Sequence, residues 1–144
     1  MELLVVLALI AAVAALAPPL WSSAVPAAEH RAAARQVAQL LRTARTEAVA
    51  RRVDVPVEFD LGQRLVRMAT PASTPDGRRT VRVPEGIAIE LVTTQAETVD
   101  EQRAYVRFYP DGGSSGGRVT LRAGDRALRV DIDWLSGRIA IDEA

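Results

Sequence analysis

Residues 3–17, LLVVLALIAAVAALA, carry no polar side chain, and the apolar run continues through Leu20 and Trp21. As a helix, residues 3–21 rise roughly 28 Å at ~1.5 Å each, close to the ~30 Å of a bilayer's hydrocarbon core. Nine of the fifteen residues 3–17 are Leu, Ile or Val. At about −0.3 to −0.6 kcal/mol apiece, they favour lipid by on the order of 4 kcal/mol. Glu2 heads this run, where an unpaired acid carried to mid-membrane costs about 2.5 kcal/mol or more. Pro18 and Pro19 each remove a donor and clash with the preceding turn, so they interrupt or kink the helix. A cleavable signal peptide is the rival reading, with Val25, Pro26 and Ala27 supplying small residues at the cut. A signal peptide wants a basic start, and Glu2 is the opposite, so the stretch predicts a retained anchor.

Residues 1–27 therefore form one predicted unit, a transmembrane helix, and residues 28–144 a second, long enough for a single hydrophobic core. The 18 basic residues balance 18 acidic ones, so no overall field draws the chain to nucleic acid or acidic lipid. Every basic residue is Arg. Mechanisms that need a lysine, including Schiff bases, are excluded. Cysteine is absent too, which excludes disulfides and thiolate metal sites.

After a joint at residues 22–28, residues 29–52 read as an amphipathic helix. Ala33, Val37, Leu40, Leu41, Ala44 and Ala48 share one face by spacings of three, four and seven. Arg31, Arg35, Arg42, Arg45 and Arg52 fall on the other, either as a phosphate-binding strip or, as this pattern more commonly means, as a solvated or subunit-facing side. His30, the only histidine, stands at the helix start with no second ligand or nucleophile, and is expected to be an exposed polar residue.

From Val53 the period falls to two. Val55, Val57 and Phe59 alternate with polar neighbours, and a second strand is expected near 64–70. Residues 71–79 form a loop by their Pro, Ser, Thr and Asp-Gly content. Short strands follow around Val81, Ile89, Val106, Val119, Val130 and Ile139. One long helix followed by about seven antiparallel strands makes an α+β domain.

Little in this pattern suggests catalysis. Glu58 with Asp60, and Asp131 with Asp133, each share a strand face and could form a calcium site or an acid/base pair. They are expected instead to face water and pair with Arg118, Arg122, Arg129 or Arg138. The Gly-rich run at 112–117 lacks the following helix and lysine of a phosphate cradle, which leaves a mobile hairpin loop. No catalytic, cofactor or metal residue is predicted.

The stretch ELLVVLALIAAVAALA resembles the N-terminal helix of type IV pilins and pseudopilins, with Glu2 matching their conserved glutamate. The run Phe108-Tyr109-Pro110-Asp111-Gly112-Gly113-Ser114-Ser115-Gly116-Gly117 resembles the F-x-P-D-G-x-S-x-G-G signature of H-class minor pseudopilins of type II secretion, shared with T- and U-type minor pilins of type IV pili. Phe108, Pro110, Asp111, Gly112, Ser114, Gly116 and Gly117 carry that match, and Leu135-Ser136-Gly137-Arg138 is similar to a common L-T-G-R ending. The resemblance implies a pilin-like fold: a long N-terminal helix, membrane half then amphipathic half, packed on an antiparallel β-sheet domain.

The function implied is that of a non-enzymatic filament subunit, trimmed and methylated at its N-terminus after cleavage by a prepilin peptidase. It would be held in the inner membrane by residues 3–21, with its globular domain in the periplasm, and would then join other pseudopilins in the pseudopilus. Glu2 would act in subunit assembly. The family's basic leader and cut-site Gly do not precede Glu2 in this chain, and an upstream in-frame leader is expected. The visible charges (Arg31 and Arg35 after the span, none before it) would by the positive-inside rule put the domain in the cytoplasm; the family implies the reverse. The alternative is a type IV minor pilin that binds DNA for uptake, with the Arg face of 31–52 as its contact. Asp142 and Glu143 at the far end of the chain argue against it.

Overall fold

The computed structural model describes residues 5–6, 25–69 and 80–143. Glu2, most of the apolar stretch and the predicted 71–79 loop lie outside the described residues. Among those described, no helix is long and apolar enough to cross a membrane.

Helix α1 spans Ala27–Arg51, two residues earlier at its start than the periodicity suggested. Pro26 provides its N-cap backbone without a side-chain cap, and Glu29 sets a negative charge in the first turn where the helix dipole favours it. The helix ends as Arg52 turns left-handed (φ 55°) and returns its N–H to the Ala48 carbonyl. Its inner face is rich in small side chains, with Ala33, Ala34, Ala38, Ala44 and Ala48 all buried around Val37, Leu40 and Leu41. Small residues let the helix axis approach the strands closely, while Leu41 is the largest fully buried side chain of the helix.

Among the described residues eight strands follow: β1 (Val55–Asp60), β2 (Leu65–Met68), β3 (Thr80–Arg82), β4 (Ala88–Val92), β5 (Arg103–Phe108), β6 (Gly117–Ala123), β7 (Arg126–Ile132) and β8 (Ile139–Glu143). They make two antiparallel four-stranded sheets, one ordered β3-β2-β1-β5 and the other β4-β6-β7-β8. The two-residue alternation puts Val57 between Met68 and Val106, and Phe59 between Val66 and Ala104, on the inner face of the first sheet. In the second sheet Val119 pairs with Val130 and Leu121 with Leu128, while Ile132 meets Ile139. Helix α1 touches strands of both sheets. The inner faces and the helix share one core, in which Phe59, Phe108, Leu41, Ile87 and Leu121 are the largest fully buried side chains. Each contributes about 1.5–3 kcal/mol of burial.

The structure corrects two expectations here. The Gly-rich run reverses the chain locally, with Phe108 and Ser114 forming an isolated antiparallel bridge, but it does not join two strands of one sheet: β5 and β6 belong to different sheets, and the run is the strap that carries the chain across. His30 is not exposed. It is buried, and its Nε2 lies 2.8 Å from the Leu121 carbonyl, so the helix start is pinned to β6.

Candidate functional site

The strap at 112–117 is the best-built feature outside the core. Gly112, Gly113, Ser114 and Gly116 are buried in it, the reverse of a mobile loop. Ser114 donates its N–H to the Trp134 carbonyl (2.9 Å) and its hydroxyl to the Asp133 carbonyl (3.0 Å). Asp111 accepts from the Gly113 N–H at 2.9 Å, and the Ser115 hydroxyl accepts from the Arg107 N–H at 3.0 Å. Gly112 and Gly116 hold φ of 89° and 74°, which a Cβ would strain. Phe108 is fully buried at the strap's start, whereas Pro110 and Asp111 lie at the surface. The signature is thus a folding element: it locks the junction of the two sheets to the β7–β8 turn, and its N–H groups are spent within the chain.

The same turn is tied to α1 by Arg45. Its Nε donates to the carbonyls of Gly112 (3.0 Å) and Ser136 (3.1 Å). Arg45 therefore leaves the expected solvated stripe and acts as a clasp between helix, strap and turn. The rest of the stripe is also divided. Arg31 pairs with Glu143 (3.3 Å) and Arg42 reaches the Ile139 carbonyl (3.3 Å), while Arg35 and Arg52 are exposed.

The carboxylate pairs do not converge. Glu58 was expected to face water, but it is buried and bonded to Arg67 on the neighbouring strand, at 2.7 Å. That contact raises the Arg67 guanidinium above its ordinary pKa. Asp60 accepts from the Gln63 N–H at 2.8 Å, closing the β1–β2 turn. Asp131 pairs with Arg118 across the β6–β7 ladder, as the alternation implied. Asp133 caps the β7–β8 turn through the Ser136 N–H and hydroxyl, both 2.7 Å away, and these bonds hold its pKa below the usual carboxylate value. Among the described residues, no group of three or more His, Asp or Glu is arranged to hold a metal.

A cleft of about 220 Å³ opens beside the helix start, lined by His30, Arg31, Asp125, Arg126 and Glu143. Its two arginines already have partners: Arg31 pairs with Glu143, and Arg126 with the Val25 carbonyl. Sequence reasoning missed the Arg45 clasp and the buried His30; neither has a local signal, since both depend on what α1 lies across.

The chain's strap, its inner helix face and the turn it clasps fall inside one known family pattern. The model of the family described as type II transport protein GspH matches residues 33–137. The chain belongs to the GspH family. A curated relative, type II secretion system protein H of Xanthomonas campestris pv. campestris, is 27% identical over 139 residues, covering 96% of this chain and 78% of that protein. Among solved structures, the minor pseudopilin EpsH from the type 2 secretion system of Vibrio cholerae superposes with a TM-score of 0.63 at 15% identity, over 80% of this chain and 97% of EpsH. The type IV minor pilin FimU of Pseudomonas aeruginosa gives 0.59 at 15% identity, over 79% of this chain and 88% of FimU. Those two likenesses bear on the fold, which is pilin-like: an N-terminal helix on antiparallel sheets. Membership of the GspH family makes the chain a minor pseudopilin, a structural subunit of the type II secretion pseudopilus.

Proposed function

We propose that this GspH-family subunit is anchored in the inner membrane by residues 3–21, holds its globular domain (28–144) in the periplasm, and passes from the bilayer into the pseudopilus beside other pseudopilins. The observation that carries the reading is that the charge-free stretch 3–21 precedes α1 in the sequence by five residues, and α1 is the helix that both sheets pack against.

Glu2 is the residue assigned to assembly. The basic residue closest to it in sequence is Arg31, at the far end of the span. A free N-terminal amine, its own or that of the adjoining subunit, is the candidate to meet its charge. DNA uptake is the weaker alternative, because Arg31, Arg42 and Arg45 are spent on contacts inside the domain.

The full-length precursor tests the reading, by membrane fractionation and by cross-linking to other pilin-like subunits. Glu2→Val is expected to insert as well as the parent or better, while its cross-link yield drops about tenfold, equivalent to roughly 1.4 kcal/mol of lost pairing. Unchanged cross-linking and secretion would reduce Glu2 to an interfacial residue. Absence of the parent chain from the membrane fraction would overturn the anchoring.

A further inference from the structure

Two large apolar side chains stand next to each other in solvent on the turn between β7 and β8: Trp134 is 68% exposed and Leu135 71%. Scattered apolar residues on a surface need no explanation. These two differ in how they are held. Their turn is bonded at nearly every polar backbone group: Asp133 N–H to Arg138, Gly137 N–H to Asp133, Trp134 carbonyl to Ser114, Ser136 carbonyl to Arg45. Asp133 closes it from within through Ser136. Gly113 packs beside the carbonyls of Trp134 and Leu135, and Gly112 beside Val49, itself 45% exposed on α1. The strap, the clasp and the turn thus present three apolar side chains on backbone that loses little freedom on binding. Trp is among the residues most enriched at the energetic centres of interfaces, and pre-organisation cuts the cost of association.

Position in the fold selects the occupant. From Ala27 to Val49, α1 rises about 33 Å at ~1.5 Å per residue. The charge-free stretch 3–21 precedes the start of α1, whereas Trp134 and Leu135 cluster by its other end. The Trp134–Leu135 turn thus stands by the end of α1 that lies about 33 Å from Ala27, the end nearer in sequence to that stretch. A surface at one pole that complements an apolar segment at the other makes a head-to-tail contact, which propagates into an open filament instead of closing as a dimer.

We propose that the Trp134–Leu135 turn, flanked by Val49, docks onto the uncharged N-terminal helical stretch of the next pilin-like subunit after that stretch has left the membrane. The contact replaces part of the lipid that the stretch gives up. It rests on the reading of the chain as an assembling pseudopilin.

The chain has no cysteine, so Leu135→Cys in the full-length precursor, labelled with a photoactivatable maleimide, gives a unique probe in cells carrying the complete secretion apparatus. The expected adduct maps to the apolar N-terminal stretch of another pilin-like subunit, and its yield drops about tenfold when Trp134→Ala is added. Because both side chains face solvent, the thermal midpoint of the detergent-purified double variant should match that of the parent. Adducts confined to lipid, to a globular domain or to solvent overturn the docking. A second probe at Arg35→Cys, on the exposed face of α1, separates the two levels. If it too finds no subunit, the assembly reading falls with the docking; if it does while Leu135→Cys does not, only the docking falls.

Discussion

Gly124 and Gly137 have nearly the same backbone, with φ of 60° and 63°, in two turns of the same sheet. Their surroundings are opposite. A Cβ at Gly124 would meet nothing within 4 Å, while one at Gly137 would run into the Gly112 carbonyl and lie 2.8 Å from Arg45 Nε. Gly124→Ala therefore carries backbone strain alone, about 1–2 kcal/mol. Gly137→Ala adds a collision with backbone that cannot yield without breaking the clasp, and is expected to cost about 3 kcal/mol or more. Urea titration of residues 25–144, followed by Trp134 as the only tryptophan left, measures both; equal costs would show that the strap is looser than described. The sequence made the Gly-rich signature visible at 112–117. It did not show that Gly137, twenty residues beyond, is the glycine on which the signature's fit depends, because that need arises from two backbones meeting in space.

At the scale of the element, α1 was readable where its own period carried the information and opaque where a neighbour decided. The stripe of Ala33, Val37, Leu40, Leu41, Ala44 and Ala48 is buried as the spacing required. His30 belongs to the same face, one turn before Ala33 and Ala34, yet its polarity argued for solvent. What buries it is β6, whose Leu121 carbonyl gives the imidazole a partner and removes the penalty of an unsatisfied polar group. The strands behaved alike: alternation identified the inner faces, whereas the division into two sheets depends on the strap's positive-φ glycines. His30→Ala should therefore destabilise the domain by about 1–3 kcal/mol, through the lost bond and the space left under the helix start. Arg35→Ala, exposed two turns from the helix start, should stay within about 0.5 kcal/mol. Thermal unfolding by circular dichroism compares them, and a His30→Ala midpoint equal to that of Arg35→Ala would mean the first turn of α1 contributes nothing to docking.

Across the whole molecule, charge is arranged for pairing within the domain. The formal net charge is zero. Arg31 with Glu143, Arg64 with Glu85, Arg103 with Asp100, Arg107 with Glu97, Arg118 with Asp131 and Arg122 with Glu90 distribute the guanidinium groups over both sheets and the helix. Exposed pairs of this kind add little to stability, but they have a second consequence. A duplex that recruited these arginines to phosphates would have to break their carboxylate contacts and bring the acids close to its own charge. On α1 the exposed Arg31, Arg42 and Arg51 are engaged with Glu143, the Ile139 carbonyl and Glu47, which leaves Arg35 and Arg52, seventeen residues apart, too few charges to release many counterions. Duplex DNA is therefore expected to bind residues 25–144 no more tightly than about 10⁻⁴–10⁻⁶ M at physiological salt, the non-specific range, with a shallow salt slope. Fluorescence anisotropy between 50 and 200 mM salt reads both quantities. A submicromolar Kd at physiological salt that disappears in Arg35→Glu/Arg52→Glu would show that the helix face is a phosphate-binding surface, and would move the chain from the structural reading to DNA uptake.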